Sequence, residues 1–160
     1  MTGVSTLVIS GVVAKVQPNF KSKAVPLGTK VTITVDRVLK GFASGPSISF
    51  VIPGGIVDGK SLMIAGMPSF QAGEEVVVFL EKTPVGWIPS GLANGKYSVA
   101  TDESGRRTVA RNASELIRVK GDQIVHRNSQ IPSDTMSYDQ LMDAISEGLS
   151  TDAAAKGGAK

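Results

Sequence analysis

At 160 residues, 41% of them apolar, the chain is one domain of ordinary size, long enough to bury a real hydrophobic core. It has no cysteine, which excludes a disulfide framework and a thiolate metal site. A formal charge of +3 is too slight to imply a polyanionic partner.

Eighteen glycines and eight prolines beside many Val and Ile residues point to short strands and tight turns. No run approaches the roughly 18 apolar residues of a membrane helix. The start, MTGVSTLVISGVVAKV, lacks a basic n-region and reads as a strand rather than a signal peptide. Leu7 to Val16 is the first strand, its in/out phase interrupted by a bulge at Gly11. Gln17 to Gly28 is a polar connection. Lys30 to Lys40 alternates Val31, Ile33 and Val35 with Thr32, Thr34 and Asp36, the period of a half-buried strand. Ser47 to Ile52 is a third strand, followed by a glycine-rich loop.

Val76 to Leu80 is apolar on both faces, as a central strand requires. Gly86 to Pro89 is a short strand, and Asn94-Gly95 is a two-residue hairpin signal. Two more hairpins are expected: Tyr97 to Thr101 with Arg107 to Arg111, and Leu116 to Lys120 with Gln123 to Arg127 around Gly121-Asp122. Ser137 and Gln140 form a capping box, with Met136 and Leu141 as its hydrophobic staple. The helix they open carries Tyr138, Leu141, Met142, Ile145 and Leu149 on one stripe, is stopped by Gly148, and plugs a barrel end. The resulting expectation is an all-β fold, an OB-like barrel or sandwich with one C-terminal α-helix. A single domain spans residues 1–149, and residues 150–160 form a flexible tail.

Gly54 to Ser61 matches the phosphate-loop pattern G-x-x-x-x-G-K-S, making Lys60 and Ser61 nucleotide-site candidates. That chemistry needs a helix after the loop, and Gly66 and Pro68 interrupt one early. Asp58 would also set a carboxylate against the phosphates. His126, the only histidine, reads as a surface strand residue, and no G-x-S-x-G elbow accompanies it. Glu74 and Glu75 are neighbours on a strand, so they point to opposite faces and do not converge on one substrate; a turn with one solvated acid is expected. Asp58 alone falls short of a calcium site. The late cations Arg106, Arg107, Arg111, Arg118, Lys120 and Arg127 lack the interleaved aromatics of a nucleic-acid face. Asn112-Ala113-Ser114 is a formal glycosylation sequon. No cofactor and no metal are expected.

Val35, Val38, Lys40, Gly41, Gly54, Gly55, Gly66, Pro68, Phe70, Gly73, Glu74, Glu75, Phe79 and Leu80 give the order V-x-x-V-L-K-G … GG … G-x-P-x-F-x-x-G-E-E … F-L. In that order the chain resembles a group of bacterial exported β-domains, and more distantly the netrin/tissue-inhibitor-of-metalloproteinase class of OB-type barrels. The resemblance implies a fold and an exported setting, periplasmic or at the cell surface. Because a strand begins almost at once, Met1 is expected to stand where a leader has been removed. Inhibitors of that class present an N-terminal cysteine to the protease zinc. This chain has none, so their inhibitory wedge does not carry over and a metalloprotease partner is unsupported. Within the motif, Gly54, Gly55, Gly66, Pro68, Phe70, Gly73, Glu74 and Glu75 are expected to be structural: a turn at Gly66 and Pro68, a core anchor at Phe70, and a strand launched by Gly73-Glu74-Glu75. The functional expectation is a non-enzymatic module binding another protein or copies of itself. The alternatives are a nucleotide hydrolase acting through Gly54–Ser61 and an oligonucleotide-binding barrel.

Overall fold

Val76, Val78 and Leu80 point to one side of their strand and Val77 and Phe79 to the other, and all five are buried. In the computed structural model, which describes residues 6–21, 25–111, 118–120, 123–125 and 135–157, this apolar run sits mid-sheet and faces two cores. The strands are β1 (Leu7–Phe20), β2 (Gly28–Lys40), β3 (Ser47–Val57), β4 (Lys60–Met63), β5 (Glu75–Thr83), β6 (Gly86–Pro89), β7 (Lys96–Thr101), β8 (Arg107–Ala110), β9 (Arg118–Lys120), β10 (Gln123–Val125) and β11 (Thr135–Ser137). Helix α1 (Tyr138–Gly157) follows. The main sheet is open and antiparallel in the order β11-β8-β7-β5-β1-β2-β3-β4, with β6 pairing β5 and β9–β10 forming a separate hairpin.

β1 and β5 show how the two cores arise. Their register sets Leu7 opposite Leu80 and Ile9 opposite Val78 on one face, and Val8 opposite Phe79 on the other. The first face gathers Val13, Val31, Ile33, Ile48, Phe50, Ile52 and Phe70. The second gathers Tyr97, Val109, Tyr138, Leu141 and Ile145, so α1 covers that face of the sheet. The expected plug in a barrel end is therefore a layer over one sheet face. β2 and β3 curl round the first core until β6 lies against β3. Among the described residues, that meeting carries no ladder.

The Gly11 bulge is present, but the phase of β1 runs through it. The register with β2 steps from Ser10↔Arg37 to Gly11↔Val35, leaving Asp36 as the extra residue on β2. A Cβ on Gly11 would lie 2.1 Å from the Thr34 carbonyl oxygen, so only glycine admits this close approach. β1 also runs on to Phe20, through the first part of the connection expected from its polar residues.

Three further expectations are corrected. The glycine-rich loop is strand: Gly54 to Val57 continue β3 and pair with Lys60 to Met63 across an Asp58-Gly59 turn, both turn residues at positive φ. Asn94-Gly95 is not a hairpin turn but the end of a 3-10 turn, Leu92–Gly95, joining β6 to β7. Gly91 and Leu92 take the positive φ there, and Gly95 is needed because a Cβ would meet the Ser90 carbonyl oxygen at 2.2 Å. Gly148 does not stop α1, which continues to Gly157 through much of the expected flexible tail.

Other expectations hold. The β7–β8 hairpin closes at Asp102–Gly105, and β9 pairs β10. The Ser137 hydroxyl accepts from the Gln140 N–H at 3.1 Å while the Gln140 side chain accepts from the Ser137 N–H at 2.9 Å, a complete capping box. His126, Gly121-Asp122, Arg127 and the Asn112 sequon lie outside the described residues.

Candidate functional site: the apolar seam between β3 and β6

Two recesses open where the curling sheet fails to zip. The first, of about 280 Å³, is bounded by Val16 and Val31, by Ile52 to Ile56 of β3, by Leu62 and Ile64, and by the segment Met67 to Phe70. The second, of about 540 Å³, lies along the seam itself, between Ser49 to Pro53 of β3 and Val85 to Pro89 around β6, with Phe20, Val25 and Lys30 on one flank and Leu92 on the other. The two share Ile52, Pro53 and Met67. Around them Ile56 (41%), Leu62 (45%), Ile64 (41%), Val85 (69%) and Leu92 (44%) stay exposed, side chains that a monomer surface does not need clustered.

The wall contributed by residues 64–74 owes its shape to the motif singled out in the sequence. Gly66 takes φ +82° inside a turn closed by Met67 N–H to Ile64 C=O, and its own carbonyl accepts from Ala93 N–H, tying the turn to the 3-10 segment. Pro68 is fully buried, and Phe70 meets Phe50 edge-on at 5.5 Å between ring centroids. Gly73 at φ +86° donates its N–H to Val13 C=O, and β5 starts two residues later.

Glu74 and Glu75 depart from expectation, for neither is a solvated turn acid. Lys96, only 6% exposed, places its ammonium 2.7 Å from Glu74 Oε1 and 2.5 Å from the Ser69 carbonyl oxygen, 4.8 Å from the centre of the Phe70 ring. The Ser98 hydroxyl donates to the same Glu74 oxygen at 2.5 Å, and Gln71 N–H donates to the other at 3.1 Å. One buried cation thus fastens Ser69, Phe70 and Glu74 to β7, fixing the recess wall. Glu75 takes the guanidinium of Arg107, which also lies 3.7 Å over the Tyr138 ring and so ties α1 to the sheet.

Of the residues picked out in the sequence, Gly54, Gly55, Pro68 and Phe70 come together around the first recess. Gly54 and Gly55 are in β3. Gly55 is crossed by Asn19, whose side-chain oxygen accepts from Ile56 N–H and stands 2.8 Å from where a Gly55 Cβ would be. Lys60 and Ser61 open β4, and Lys60 is exposed. A strand–turn–strand stands where phosphate binding needs strand–loop–helix. Arg106 pairs loosely with Asp102 at 4.0 Å, and Arg111 lies 5.2 Å from the centre of the Tyr97 ring. Among the described residues, no three His, Cys, Asp or Glu side chains are grouped to hold a metal ion.

Sequence reasoning missed Trp87, Lys30, Ile52, Met67 and Lys96. Four of them join the seam or its wall only because β2, β3 and β6 converge, and Lys96 is an ordinary surface cation until its strand is placed. Trp87 carries Lys82 5.9 Å from its ring centre. No family model matches the chain, and no curated protein or solved structure was found to be similar to it. No helix among the described residues is long and apolar enough to cross a membrane.

Proposed function

We propose that this chain is an exported or cell-surface β-module, an OB-like barrel left open at one seam, which binds another protein or a second copy of itself and performs no chemistry of its own. The observation that carries this reading is the cluster of exposed Ile56, Leu62, Ile64, Val85 and Leu92 around two adjoining apolar recesses. Exposed apolar area of this kind is stabilised by covering it, at roughly 25 cal/mol per Å² removed from water. The barrel element of the reading is supported by β6, which folds across from β5 to lie against β3. Its kinship with the bacterial exported β-domains rests on the motif order from Val35 to Leu80. Size-exclusion chromatography with light scattering, together with affinity capture on the intact chain, tests the proposal. Self-association or a stoichiometric protein partner is expected, and a strict monomer that captures nothing overturns it.

A further inference from the structure

We propose that the seam takes an extended, acidic segment of a partner polypeptide, laid along the outer edge of β3 with a carboxylate against Lys30. This deepens the interaction reading above and rests on it. The first ground is the backbone. From Ser47 to Pro53, β3 is laddered to β2 alone among the described residues, and β4 joins only from Gly54 onward. Every second residue of that stretch therefore presents N–H and C=O outward, the template that strand addition uses. β6 is four residues long, shorter than the stretch it faces, and among the described residues it is laddered to β5 alone.

The second ground is the cleft beside that edge. Its roughly 540 Å³ is walled by Phe20, Phe50, Ile52, Trp87 and Leu92, and a pleated segment would turn alternate apolar side chains into it. The third is charge. Among the described residues Lys30 is the only charged one lining the cleft, its ammonium 5.1 Å from the centre of the Phe20 ring; Lys82, outside the lining, stands 5.9 Å from the centre of the Trp87 ring. No carboxylate among the described residues lines the cleft. An acyl chain with a carboxylate head would satisfy the apolar walls and the cation. It would leave the covered backbone groups of β3 without hydrogen-bond partners, whereas a polypeptide answers them.

The test selects phage-displayed random nonapeptides on the full chain and reads binding of the enriched peptides by fluorescence of Trp87, the only tryptophan. Enrichment of proline-free peptides with alternating apolar residues and at least one acid is expected. Lys30→Glu should weaken the best peptide about tenfold or more and shift fresh selections toward basic peptides. N-methylation of alternate peptide amides should cost a similar factor, and dodecanoate should fail to compete. Selections that enrich nothing, peptides without acid bias, indifference to Lys30→Glu or to N-methylation, or displacement by dodecanoate at equal affinity each overturn the proposal. If self-association or stoichiometric capture survives in the Lys30→Glu protein while the peptide results fail, this inference falls and the interaction reading stands. If all fail, both fall.

Discussion

Both carboxylate oxygens of Glu74 accept from neighbours that hold the recess wall: Lys96 and Ser98 on one oxygen, Gln71 N–H on the other. Removing it strands an ammonium that is 6% exposed, and breaking a buried pair from one side costs about 3–5 kcal/mol. Urea denaturation of Glu74→Ala should show a loss of that order, and Ser98→Ala only about 1 kcal/mol, since one neutral donor goes. Asp102 is a contrasting acid, exposed at the β7–β8 hairpin tip. The Ser104 hydroxyl, then the Arg106 and Ser104 amides, hydrogen-bond its carboxylate and hold its pKa below the ordinary value. A depressed folded pKa means the stabilising contribution is present above the unfolded value and is lost as pH falls through the folded one. Amide exchange at Ser104 and Arg106 should accelerate as pH falls below the usual aspartate range, beyond the intrinsic pH effect. Asp102→Asn should abolish that extra pH dependence.

Helix α1 tests how far local signals reach. Its start was legible because a capping box is a contact between residues three apart, and both of its hydrogen bonds are made. Ser137→Ala should cost about 1 kcal/mol in equilibrium unfolding. Its end was misread because Gly148 matches a stop signal but takes no left-handed φ, and the helix runs nine residues further. Gly148→Ala should therefore stabilise the protein by about 0.5–1 kcal/mol, measured by thermal or urea unfolding; a glycine capping in the left-handed region would give a loss instead. The β3–β4 hairpin misled in the opposite way. Gly54, Gly55 and Gly59 look like loop composition, but two of them serve strand geometry, where Asn19 and the chain at Leu62 come too close for a Cβ.

On the scale of the whole molecule, one sheet separates two cores, and β5 is the wall between them. α1 seals one side, while the other is closed only as far as β3 and β6 approach. The apolar fringe of that unfinished closure is where association should act. Leu62→Glu with Ile64→Glu replaces two side chains already 45% and 41% exposed, so unfolding should change by no more than about 0.5 kcal/mol per site. Self-association or partner capture, read by light scattering, should be lost.

The sequence by itself determined what depends on neighbours in the chain. The period-two alternation of β2, the doubly apolar β5, the Gly66 to Phe70 turn and anchor, the Asp102–Gly105 hairpin and the Ser137 cap are each set by side chains within a few residues. Only the tertiary structure decided that Lys96 meets Glu74 and that Arg107 bridges Glu75 and Tyr138, because those partners lie 22, 32 and 31 positions apart in sequence. It alone brought Lys30, Ile52, Met67 and Trp87 to one seam. Local patterns report how a strand buries its faces. Which strand edges finally meet, and which are left without a ladder, depends on the bulges and curl accumulated across the whole sheet.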